Sequence, residues 1–201
     1  NVSIPLTIES NRVQANWCKD NDIEVFCEGD VYPRPRYNVA SRYLELFDLG
    51  LLASGETDGI LKYMFDYNRP IEYERGYYKR HQKNKHIRDQ VKEIFEGKKT
   101  TGIYVVDEMR KISKWHLPDK SPEGISAYLC ADMENSRQAK SILVNNAVPI
   151  TYEKTEHPLF IMGENAWYVE KNDLKNGAVI DISAAKILMQ RGIDAGLLSA
   201  K

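Results

Sequence analysis

Cysteine is scarce in this chain. Cys18, Cys27 and Cys130 are an odd, scattered set with no CxxC spacing, a poor disulfide framework in which only Cys18 and Cys27 could bridge, against the commoner reading of Cys27 as a buried free thiol. A reducing, cytoplasmic setting is the expectation. Charge of one sign is also missing: 28 Lys and Arg stand against 29 Asp and Glu. That balance argues against nucleic acid as partner and shows no acidic tail. No run of roughly 18 apolar residues is present, so no membrane-spanning helix is expected. The first residues, Asn1-Val2-Ser3-Ile4-Pro5, have neither the basic flank nor the apolar core of a signal peptide. They also lack an initiating Met, and the chain reads as a processed, trimmed or excised piece. HExxH motifs and Gly-rich phosphate loops are absent, so neither a metal nor a cofactor is expected. His81 and His86 lie five apart on a polar stretch and read, with His116 and His157, as solvated surface residues.

What is present is an alternation of strand and helix. Residues 10–20 read as a short helix capped by Ser10, and 22–27 (DIEVFC) as a buried strand in which Cys27 is a free thiol. Two prolines keep the loop 28–38 out of helix or central strand. Val39, Tyr43, Leu46, Phe47 and Leu51 fall at helical spacing over 39–53, and Ser54-Gly55 stops that helix. Residues 58–66 read as a second buried strand. Strand, helix and strand with short joints make a βαβ unit with parallel pairing. Residues 79–96 read as one polar helix with a thin apolar stripe at Ile87, Val91, Ile94 and Phe95.

A second α/β rhythm starts near 98–101. It runs through strands at 102–106, 148–152, 158–162 and 178–181, with helices at 134–146 and 183–191 and an irregular stretch over 107–124. Too few strands precede residue 100 to cover both faces of a sheet. The first half therefore reads as the end of a larger barrel or sheet, with a bare edge if alone.

In parallel α/β folds, catalytic side chains gather at the carboxyl ends of strands. Glu28 directly follows VFC, and Asp66 directly follows YMF. If the two strands are neighbours, both carboxylates open onto one face with Asp30, Tyr32, Arg34, Arg36, Tyr63 and Tyr67. Carboxylates, Tyr hydroxyls and planar Arg forks suit a neutral, hydroxyl-rich ligand such as a sugar. The plainer reading makes Glu28 a loop carboxylate paired with Arg34 or Arg36. Cys130 follows Ala127-Tyr128-Leu129 and reads as an apolar buried thiol rather than a nucleophile for His157. The basic, Tyr-rich segment 69–86 is read as a solvated helix face plus a ligand-facing loop, with nucleic-acid binding as the competing reading.

The run FCEGDVYPRPRY, followed by LELFDLGLLASGETDGILKYMFDY, resembles the last two strand–helix units of glycoside hydrolase barrels related to family 42, the β-galactosidase group. The resemblance implies that Glu28 is the nucleophile at the end of the seventh strand. It also implies that Tyr63, Phe65 and Tyr67 of the eighth strand line the sugar pocket. The segment NGAVIDISAAKILMQRGIDAGL resembles a strand–turn–helix piece of the amidotransferase-like domain that follows such barrels and forms trimers. No G-x-C-x-G elbow is present, so amidotransferase chemistry is not implied. The resemblance thus gives an α/β chain in which 1–99 is the C-terminal part of a (β/α)8-type barrel and 100–201 a flavodoxin/amidotransferase-like domain. The activity implied is retaining hydrolysis of a β-linked sugar in a homo-oligomer. The acid/base glutamate has no match here, so this chain alone is expected to be inactive. The alternative is a non-catalytic carbohydrate-binding or oligomerisation module.

Overall fold

The computed structural model describes residues 3–28, 40–62, 70, 72, 76–114 and 139–196. The chain divides into two compact units, Asn1–Thr100 and Thr101–Lys201.

In the first unit, helix α1 spans Ile4–Asp20. Pro5 sits in its first turn, where a missing N–H costs nothing. The sequence reading started this helix at Ser10. Ser10 instead lies inside it, its hydroxyl donating to the Leu6 carbonyl at 3.0 Å, which lets a cap-type residue sit mid-helix. Strand β1 (Phe26–Glu28), helix α2 (Ser41–Ser54) and strand β2 (Gly59–Leu61) form the expected βαβ unit. The strands pair in parallel, with Phe26 opposite Gly59, Cys27 opposite Ile60 and Glu28 opposite Leu61. The joint before β2 pins this register: the Asp58 carboxylate accepts from Val25 N–H at 2.7 Å, and Thr57 Oγ1 donates to the Gly59 carbonyl at 2.6 Å. Strand β1 is shorter than its apolar run suggests, and residues 63–66 of the second run lie outside the described residues.

The buried stripe of α2 is Leu44, Phe47, Asp48 and Leu51, at helical steps of three and four. Tyr43 and Leu46, expected to face the core, are exposed, because they flank that stripe rather than continue it; Val39 lies outside the described residues. Gly55 ends the helix at φ 68°, and a Cβ there would sit 2.7 Å from the Phe95 carbonyl oxygen. The single helix expected over 79–96 is two: α3 (Gly76–Lys83) and α4 (Lys85–Phe95), broken at Asn84. The break has a partner. Asn84 Nδ2 and Arg80 Nε both donate at 2.6 Å to the buried carboxylate of Glu45 on α2. The apolar stripe foreseen on α4 is turned outward at Ile87, Ile94 and Phe95, while Arg88 is the buried residue of that helix.

Cys27, Phe47 and Leu51 form the core under the two strands, with Ile4, Ile8, Val25 and Ile60 packed around them. Because side chains alternate across a strand, Phe26 and Leu61 lie on the opposite face and are 51% and 54% exposed. The Phe26 ring lies over Gly59, where an added Cβ would meet it at 2.6 Å. Beside the core, Arg12 forks onto Glu56 at 2.9 and 3.1 Å and onto Glu9 at 2.9 Å, tying α1 to the joint after α2.

The second unit holds a four-stranded parallel sheet in the order β4-β3-β5-β6. Its strands are β3 (Ile103–Val106), β4 (Ile150–Thr151), β5 (Leu159–Ile161) and β6 (Ala178–Ile180). Helix α5 covers 139–145 within the described residues, and α6 spans Ile182–Gln190. The stretch read as irregular after β3 contains a 3-10 helix at Met109–Lys114. Two further 3-10 helices, Gly163–Tyr168 and Lys171–Asn176, lie between β5 and β6. Gly102 opens β3 at φ 145°, where a Cβ would fall 2.1 Å from the Pro149 carbonyl oxygen. The Asp181 carboxylate caps α6 by accepting from Ala184 N–H at 2.7 Å, and also accepts from Gly163 N–H at 3.0 Å. Leu159, Ile161, Ala166, Val169, Ala184 and Leu188 are the centre of this unit's core.

Candidate functional site

Glu28 is the last residue of β1, one place further into the strand than the sequence suggested. The pleat that buries Cys27 against the helices turns Glu28 to the opposite face, where it is exposed beside its cross-strand neighbour Leu61. Phe26 stands on the same face two residues earlier. The strand end thus carries one carboxylate and an aromatic ring on a surface that α1 and α2 leave uncovered. Asp30, Tyr32, Arg34, Arg36, Tyr63, Phe65, Asp66 and Tyr67 lie outside the described residues, as do Cys130 and His116.

Sequence reasoning did not single out the buried ion pair behind β2. Lys62 follows the strand on the same side as Ile60, and its ammonium lies 3.1 Å from Asp48 Oδ1; both side chains are under 5% exposed. Tyr77 donates its hydroxyl to Asp48 Oδ2, and Lys62 sits 4.6 Å over the Phe47 ring. Burial pushes the Asp48 carboxyl up from its ordinary value, against the pull of Lys62 and Tyr77. The signals were present in the sequence: Asp48 shares the α2 stripe with Leu44, and Lys62 keeps the two-residue alternation with Ile60.

His81 is a correction. Expected in solvent, it is half-buried, its ring centroid 5.8 Å from that of Tyr77. Desolvation, with Arg88 beside it, lowers its pKa. Its Nδ1 is buried without a hydrogen-bond partner among the described residues.

In the second unit, a cluster occupies the carboxyl end of β3. Asp107 accepts from Lys111 and Lys140 at 2.6 Å each, and all three side chains are at most 10% exposed. Burial opposes ionisation of Asp107, but Lys140 and Lys111 outweigh it and hold its carboxyl below the usual range. Glu108 N–H donates to Asn165 Oδ1 at 2.9 Å, joining the loop after β3 to that after β5. Here β4 leaves on one side of β3 and β5 on the other, the point where open parallel sheets form a crevice. Asp107 follows IYVV just as Glu28 follows VFC; the same strand-end rule finds it when applied to the second half.

Among the described residues, no group of three or more His, Cys, Asp or Glu side chains is placed to hold a metal ion. No helix among them is long and apolar enough to cross a membrane.

Fold and side chains define an α/β protein with a parallel sheet in each unit. No protein-family model, curated protein or solved structure matches the chain.

Proposed function

We propose that this chain is the C-terminal portion of a retaining, β-galactosidase-like glycoside hydrolase. Residues 1–99 would complete a (β/α)8 barrel, and 100–201 would form an amidotransferase-like domain that assembles a homo-oligomer, a trimer by resemblance. One observation carries the reading: Glu28 ends a parallel strand on the face opposite its own covering helices. In a barrel that face points inward, and catalytic groups stand at the carboxyl ends.

In this reading a Glu28 carboxylate oxygen attacks the anomeric carbon while the bond to the leaving oxygen breaks. An acid/base carboxyl outside this chain, about 5–5.5 Å from Glu28, protonates that oxygen. The same group then takes a proton from water, which opens the glycosyl ester and frees Glu28. Asp30, Tyr32 and Asp66 hydrogen-bond sugar hydroxyls, and Tyr63, Phe65 and Tyr67 pack on its C–H faces. The setting is cytoplasmic.

The test uses the full-length protein and an aryl β-galactoside. Glu28→Gln should abolish turnover while thermal unfolding stays unchanged. In Glu28→Ala, azide should restore turnover and yield a glycosyl azide of inverted configuration. Undiminished activity in Glu28→Gln would remove Glu28 from the mechanism; sugar binding without turnover in the parent would favour the non-catalytic module.

A further inference from the structure

Beside the buried Asp48–Lys62 pair, β2 and helices α2 to α4 leave a groove of about 470 Å³. Leu52 and Ile60 give it an apolar floor, and His81, Lys85, Arg88 and Lys92 line its wall. Three of those four are cations from one helix, at positions i, i+3 and i+7, so they share a face of α4.

The charges do not cancel within the groove. Asp48 is matched by Lys62, and Asp89 offsets one of Lys85, Arg88 and Lys92, which leaves a surplus of two positive charges among the lining residues. Lys85 and Lys92 make no ion pair among the described residues. Arg88 is buried, yet the only partner its fork has among the described residues is the His81 carbonyl, through Nη2. A buried guanidinium fork on the same helix face as two exposed ammonium groups is an arrangement that recognises a phosphate, by bidentate hydrogen bonding and point charge together.

We propose that this groove binds a small phosphate monoester, the phosphate held by Arg88 between Lys85 and Lys92 and the organic group lying on Leu52 and Ile60. A dianion matches the surplus charge. The apolar floor requires a ligand with carbon to bury, which free phosphate lacks. The site is remote in role from Glu28 and does not depend on the glycosidase reading.

The experiment is calorimetric titration of the full chain at constant ionic strength with phenyl phosphate, inorganic phosphate and phenol. Phenyl phosphate should bind more tightly than inorganic phosphate, and phenol should not bind measurably. The double variant Lys85→Gln/Lys92→Gln, whose side chains are exposed, should weaken phenyl phosphate at least about tenfold with unchanged thermal unfolding. Glu28→Gln should bind it as wild type does, which separates this site from the proposed nucleophile. Equal binding by the double variant, or no binding at millimolar phenyl phosphate, overturns the proposal. Tighter binding of a single-stranded oligonucleotide, lost in the same double variant, would overturn it in favour of a nucleic-acid surface.

Discussion

Single side chains with buried charge set the largest expected effects. Arg12 satisfies two buried carboxylates at once. Arg12→Leu removes the guanidinium that Glu9 and Glu56 share and should cost about 3–5 kcal/mol in urea unfolding, the range for breaking one side of a buried pair. Asp107 gives a pH signature. Its carboxyl titrates below the ordinary range in the fold, so the unfolded chain binds the proton more readily. Its contribution should be complete above about pH 4, near the unfolded value, and be lost as pH falls further. Urea midpoints of the second unit measured from pH 6 to pH 3 should drop, and Lys140→Met should flatten the drop. Cys27 is buried, and burial, together with nearby Glu56 and Asp58, raises its thiol pKa. Native alkylation with iodoacetamide, mapped by peptide mass, should label Cys18 well before Cys27; equal rates would contradict the packing of β1.

At the level of elements, strand ends were easier to read than helix faces. An apolar run broken by a carboxylate marked β1 and Glu28 from sequence alone, although the run is not buried throughout: Ile23 and Phe26 are exposed and only Cys27 is enclosed. The split between α3 and α4 was not legible, because it depends on Glu45 reaching Asn84 and Arg80 from another helix, 39 and 35 residues away. Ile87 and Ile94 face outward where Arg88, donating to the His81 carbonyl, takes the inward position on α4. A stripe's period predicts that a face exists, whereas its direction is decided by partners distant in sequence. Gly102 is a further element-level case. Gly102→Ala would place a methyl against the Pro149 carbonyl at a φ that L-residues rarely adopt. It should lower the second unit's thermal midpoint by several degrees, while Gly177→Ala, with open space around it, should lower it less. Similar losses would mean that the close approach of β3 to the chain before β4 is not what Gly102 serves.

Across the whole chain, the two units differ in how completely their sheets are covered. The second unit buries both Leu159 and Phe160, neighbours on opposite faces of β5, so its central strand is enclosed on both sides. The first unit encloses Cys27 and leaves Phe26 bare. Residues 101–201 expressed alone should therefore unfold in one cooperative urea transition. Residues 1–100 alone should bind a hydrophobic dye such as ANS strongly; the reverse pattern would show that the uncovered face is not an apolar liability. Strand–helix alternation made both parallel sheets foreseeable, whereas the expectation for the first half was a bare sheet edge and not the exposed face that carries Phe26 and Leu61. The groove beside Asp48 was invisible because its lining comes from four separate elements.

The alternation along β1 also separates two tasks that proteins usually entangle. Phe26 and Glu28 stand on one side of the pleat and Cys27 on the other, with Leu61 and Ile60 divided in the same way across the partner strand. A combinatorial library that varies only Phe26, Glu28 and Leu61 would sample new recognition chemistry while the residues that hold the interior stay untouched.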